Sequence, residues 1–195
     1  MNNKIDVSEL RGPLSEFLDQ LSGDSAQERF KEFKLWQKRV KSQPLRPEAT
    51  VGVAAVRRFV AREHLAAANI GQTGENFERL FLDKVEENVP AGRIAVQTLV
   101  KGSLDFEIEA ALGRARRVVR LAHFFQLLKK QAKGQAGPLL TSGAANLAYD
   151  ICNDRNVWAV DADWVSVGRY WYVEASSVGH PNEWSAGSRV LSQAV

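Results

Sequence analysis

Cysteine, methionine and histidine are scarce in this chain: one cysteine, Cys152, one methionine, Met1, and three histidines among 195 residues. A lone cysteine excludes an internal disulfide, so the fold must rest on its core, and the expected compartment is the cytoplasm. His64, His123 and His180 are far apart, and none sits in a metal-ligand spacing such as H-E-x-x-H. No apolar run approaches the ~18 residues of a membrane span, and the first nine residues carry no apolar leader, so no membrane partner is expected. Nucleotide-binding signatures are missing too. Gly71-Gln72-Thr73-Gly74 is not followed by Gly-Lys-Ser/Thr, no strand–glycine–helix unit supports a dinucleotide, and no serine sits in a G-x-S-x-G context. No cofactor is expected, and the motif signals of an enzyme are lacking.

What is present fits a globular chain, with 45% hydrophobic and 25% charged residues. The length suits one ordinary domain, or one domain with a small helical appendage. The net charge of +3 hides one anomaly. Residues 114–134 hold no acid and seven bases: Arg114, Arg116, Arg117, Arg120, Lys129, Lys130 and Lys133. The rest of the chain is slightly acidic. Such a field attracts phosphates or acidic partners, and these seven are the candidate binding residues. The plainer reading is a charge-protected edge followed by an ordinary amphipathic helix.

Periodicity gives the expected organisation. Gly12-Pro13 opens a helix whose Leu14, Phe17, Leu18 and Leu21 share a stripe. Ser25-Ala26-Gln27-Glu28 fits a capping box before a second helix carrying Phe30, Phe33, Trp36 and Val40. Residues 1–42 therefore read as a helical hairpin. Residues 43–49, with Pro44 and Pro47, read as a linker, and residues 50–195 as an α+β domain. Within that domain, strands are expected over 51–60, 94–100, 147–151 and 189–191. A short helix over 104–112 is stopped by Gly113, and a second helix carries Leu121, Phe124, Phe125 and Leu128. Four of the five tryptophans fall between 149 and 184, where aromatic density and short turns signal strands. A turn centred on Val167-Gly168 sets Trp164 opposite Trp171, Ala162 opposite Val173 and Val160 opposite Ala175, all on one side. The expected fold is an N-terminal helical hairpin plus a mainly antiparallel, tryptophan-rich sheet with one or two packed helices.

The run Gly137-Pro138-Leu139-Leu140-Thr141-Ser142-Gly143-Ala144-Ala145-Asn146-Leu147-Ala148-Tyr149, followed by Trp158, Trp164, Trp171 and Trp184, resembles an uncharacterised family of small bacterial proteins common in candidate-phylum genomes. The likeness covers roughly residues 57–192. This chain departs from the pattern at Gln193 and in the turn 153–156. The resemblance implies no activity and transfers no functional residue.

Three functions stand open on these residues. The favoured one is a non-enzymatic binding or interaction protein, with a protein partner or self-association. The alternative is a nucleic-acid-associated protein using segment 114–133. The second alternative is a metal-dependent hydrolase or nuclease built on Asp161, Asp163 and Glu174, which the hairpin register puts on one face. The plainer reading of those acids is a solvated sheet surface, and no lysine follows Lys133 to serve such a centre.

Overall fold

A computed structural model describes residues 43–181 and 183–194, together with Lys31. The chain divides into two compact units between Ser42 and Gln43, and every element below belongs to the second. The hairpin expected over residues 1–42 lies outside the described residues. In chain order the elements are β1 (Leu45–Val53), β2 (Val56–Val60), α1 (Ala61–Ala68), β3 (Ile70–Thr73), α2 (Glu75–Phe81), β4 (Val85–Val89) and β5 (Gly92–Leu99). They continue with α3 (Asp105–Leu112), α4 (Leu121–Lys130), β6 (Asn146–Ile151), β7 (Val157–Val165), β8 (Tyr170–Ser177) and β9 (Arg189–Gln193).

The expected fold is corrected by this arrangement. The sheet is mixed rather than mainly antiparallel, with seven strands in the order β1-β5-β9-β6-β7-β8-β3, and β2 and β4 form a separate two-stranded ribbon. The pairs β6/β9 and β3/β8 run parallel. Among the described residues there are four helices rather than one or two, interspersed between strands. The physical reason is that α1 and α2 have only eight and seven residues. That is too short for a 3.6-residue stripe to stand out, and isolated helices of this length draw their stability from packing. Residues 45–49, expected in the linker, are the first half of β1, paired with β5 from Leu45↔Leu99 onward.

Local chemistry accounts for most boundaries. Helix α1 ends at Asn69, whose left-handed backbone (φ 55°) lets its amide reach the Ala66 and Leu65 carbonyls. Gly113 (φ 76°) stops α3, as the sequence predicts. In the β7–β8 hairpin, Trp164 pairs with Trp171, Ala162 with Val173, Val160 with Ala175 and Asp161 with Glu174, the register expected from alternation. Trp164 and Trp171 meet edge to face at 5.1 Å. Gly134 (φ 71°) lies against the Trp164 ring, where a Cβ would overlap the indole.

Alternation also decides which layer covers which face. Ile94, Val96, Leu191, Ala148, Val160, Ala162, Trp171 and Val173 form one core with the ribbon and with α1, α2 and α4. Phe77, Phe81 and Phe125 stack within it. On the opposite face Leu99, Leu147, Tyr149, Ala159 and Val190 pack under Ile108 and Leu112 of α3. That face is apolar only where α3 covers it. Over β7 and β8 it carries Asp161, Asp163, Tyr172, Glu174 and Ser176.

Helix α4 is seated by a buried ionic triad. Strand β4 inverts the expected polarity, with Val85 52% exposed and Glu86 only 3%. Glu86 turns inward because its carboxylate accepts the Ala122 amide (2.9 Å) and the Leu121 amide (3.3 Å), capping the positive end of α4. Lys84 Nζ bridges Glu86 (2.9 Å) to Asp150 on β6, tying ribbon, helix and central sheet together. Burial pushes the Asp150 carboxyl above the usual carboxylate range, and Lys84 opposes this.

Candidate binding site

Beyond the edge of α3, the polar face of β7–β8 forms the floor of a cavity of about 290 Å³. Its walls come from distant parts of the chain. Asp105, the first residue of α3, faces it, held by Glu107, whose Oε2 accepts the Leu104 amide (3.0 Å) and fixes the start of the helix. Asp105 Oδ1 accepts two hydrogen bonds, from Tyr149 Oη and from Trp184 Nε1, both 2.8 Å. Trp184 is anchored through its backbone as well, pairing with Ser103 in an isolated antiparallel bridge. The indole is thereby a fixed wall. Asp161, Tyr172, Glu174 and Ser176 supply the floor, and His180 and Glu183 the rim.

The floor is electrostatically loaded. Asp161 is only 8% exposed. Burial, then the Asp163 and Glu174 carboxylates, push it up to about 8, against its own backbone amide, so it holds a proton at neutral pH. Burial also raises Asp163, whose Oδ1 has no hydrogen-bond partner. Glu174 is fixed by the Tyr172 hydroxyl, which donates to Oε2, and by the Ala175 amide, which donates to Oε1, each at 2.8 Å. Burial and that bond push Tyr172 up to about 12. Gly74 completes the setting: its amide donates to the Val173 carbonyl, and a Cβ there would overlap the Glu174 carboxylate. Asp161 accepts a hydrogen bond from its own backbone amide.

The carboxylates of the metal alternative share this face but do not converge. Among the described residues, no group of three or more His, Cys, Asp or Glu is arranged to hold a metal ion. Other candidates lie elsewhere. Cys152 is buried, donates its Sγ–H to Asp154 (2.6 Å) and is pushed up by burial. His123 bonds the Pro90 carbonyl (3.0 Å) and is held low by burial.

The basic residues are divided by α4. Arg114, Arg116 and Arg117 lie in the turn before it, and Arg120 is its N-cap. Arg116 Nε donates to the Leu112 carbonyl (3.1 Å), and Arg117 pairs with Glu109 at 2.7 Å. Lys129 and Lys130 close the helix, Lys130 donating to the Gly52 carbonyl (3.0 Å), and Lys133 follows, exposed. At 1.5 Å per residue, the ten-residue helix sets the two groups ~15 Å apart. Beside the lysine end, a smaller hollow of about 120 Å³ is lined mostly by apolar side chains, including Val56, Phe59 and Phe125.

Sequence reading singles out Asp161, Asp163 and Glu174 but misses Asp105, Ser176 and Trp184 as their neighbours. The available signal is that Trp184 stands outside the alternating pattern of the hairpin tryptophans. Comparison with known families, curated proteins and solved structures finds no match. Among the described residues, no helix is long and apolar enough to cross a membrane.

Proposed function

We propose that this protein is a non-enzymatic binding module whose ligand seats in the cavity between α3, residues 180–184 and the β7–β8 floor. One observation carries the reading: Asp105 of α3, the Trp184 indole, and Asp161, Tyr172, Glu174 and Ser176 of the floor converge on one cavity from distant parts of the chain, with Asp161 only 8% exposed. The fixed indole of Trp184 adds the rigid aromatic surface that binding sites favour. Cys152 and His123 do not line the cavity, whose titratable groups are His180, Tyr172 and carboxylic acids, with no thiol nucleophile among them. The lone cysteine goes with a cytoplasmic setting, and a protein partner presenting a side chain suits a cavity of this size.

The test is a nuclear magnetic resonance titration of the full chain with a mixed set of cationic, neutral and anionic fragments. Binders should shift the Trp184 indole and Ser176 amide signals, and Ser176→Trp, which fills the cavity, should abolish those shifts. Shifts confined to residues 114–133 would overturn the assignment.

A further inference from the structure

On the other side of the main sheet, the hollow of about 120 Å³ between β2, α1 and α4 has a different chemistry. Its base is aromatic. Phe59 is held between two rings, stacked on His64 at 4.8 Å and meeting Phe125 edge to face at 5.1 Å. The α4 wall is one helical stripe, Ala122, Phe125, Gln126 and Lys129, spaced so that all four share a face. Ala122 and Phe125 are buried, and Lys129 is exposed at the mouth. Gln126 lends the hollow little polarity. Its side chain is committed to Ala54, accepting the backbone amide (2.8 Å) and donating to the carbonyl (2.9 Å). The polar side-chain groups left to the lining are the His64 ring and the Lys129 ammonium. A bound water needs about two to four polar partners, so water is held poorly over the aromatic base.

Size and charge together define what fits. An apolar cavity of roughly 150 Å³ takes a benzene ring. A hollow of about 120 Å³ with an open mouth therefore takes one side chain of the phenylalanine or leucine class. No acid lines it, and the one acid of α1, Glu63, is paired with Arg58 at 2.9 Å. Among the described residues Lys129 and Lys133 form no ion pair, and Lys130 donates to the uncharged Gly52 carbonyl. Unpaired positive charge thus continues from the mouth to Lys133. A free ring acid has one carboxylate and answers one of these cations; an acidic stretch of chain answers several at once. We propose that the hollow docks an acidic segment of a partner protein, with one phenylalanine or leucine side chain seated on Phe59 and flanking carboxylates against Lys129, Lys130 and Lys133. The anchor supplies most of the affinity, because it leaves water for a preformed apolar base. The carboxylates supply orientation and speed of encounter. This surface is separate from the acidic cavity under α3, and the two are tested independently.

The experiment titrates the full chain with three acetylated pentapeptide amides: Asp-Glu-Phe-Glu-Asp, Asp-Glu-Ala-Glu-Asp and Asn-Gln-Phe-Gln-Asn. Calorimetry gives the affinity, and the amide signals of Ala67 and Gln126, both in the lining, locate the complex. The first peptide should bind about tenfold or more tightly than either control. Lys129→Glu should lower that affinity about fivefold and flatten its fall with salt. Ala67 is exposed, so Ala67→Trp should fill the mouth and abolish binding while the melting curve stays unchanged. Equal binding of the phenylalanine and alanine peptides refutes the anchor, and equal binding of the acidic and amide peptides refutes the charge match; either overturns the proposal. Sodium benzoate matching the first peptide overturns it in favour of a free ring acid. A concentration-dependent dimer that Ala67→Trp dissolves overturns it in favour of a second copy. No shift at Ala67 or Gln126 with any peptide overturns it outright, and none of these results bears on binding at Trp184.

Discussion

Replacing Asp161 by asparagine should make the protein more stable, by an amount that grows with pH. In the folded chain this carboxyl is pushed from an ordinary 3.8 to about 8 by burial and by Asp163 and Glu174. A raised folded pKa means that the folded state binds the proton more tightly than the unfolded state. The associated stability is complete below the unfolded value and is lost as pH rises toward the folded one. Between the two values the slope is about −1.4 kcal/mol per pH unit from this group alone. Asparagine keeps the shape and does not titrate, while every other acid is common to both proteins and cancels to first order. Against wild type, Asp161→Asn should therefore be near neutral at pH 4 and gain about 3 kcal/mol between pH 5 and pH 7. Urea unfolding followed by tryptophan fluorescence at four pH values measures this directly. A stability difference that stays flat across pH 5–7, or a destabilised variant, would refute the claim that burial and the neighbouring acids raise Asp161.

Other expectations follow from particular contacts. Lys84→Met leaves the buried Glu86 and Asp150 carboxylates facing each other without their bridge; it should cost about 3–5 kcal/mol in urea unfolding, and a loss under 1 kcal/mol would contradict the triad's role. Gly134→Ala places a Cβ into the Trp164 ring at a left-handed position; about 2 kcal/mol of destabilisation, with a changed near-ultraviolet dichroism signal, is expected, and an unchanged melting curve would count against that packing. The bases of segment 114–133 are split across α4 and partly engaged, so a duplex DNA probe should show no retarded band at 150 mM salt. A retarded band at that salt which weakens steeply as salt rises further, and which Arg116→Glu, Arg117→Glu and Lys130→Glu together abolish, would restore the nucleic-acid alternative.

How much of this was legible in the chain depends on the range of the interaction. Strand alternation has a period of two, and a hairpin folds a segment onto its own neighbour, so the Trp164–Trp171 and Asp161–Glu174 pairings follow from residues 158–175 alone. Gly113 likewise announces a helix end, because few other residues adopt its backbone conformation. Strand β4 was not legible: Val85 and Glu86 exchange their usual places because Glu86 satisfies two amides of α4, thirty-five and thirty-six residues away. Nothing local marks such a reversal.

The residues by themselves determined the tryptophan hairpin, the acids on its far side and the stop of α3 at Gly113, since each depends on backbone preference or on alternation within one segment. Tertiary structure alone decided the parallel pairings of β3 with β8 and β6 with β9, the ionic seat of α4 and the cavity. These join groups such as Asp105, Asp161 and Trp184, whose meeting depends on which face α3 covers. Loop closure over such separations leaves no periodic trace, because its cost depends on length and hardly on sequence. The same closure turns a row of sheet acids into the floor of a partly open acidic cavity, with Asp161 withdrawn from most of the water that would otherwise solvate it.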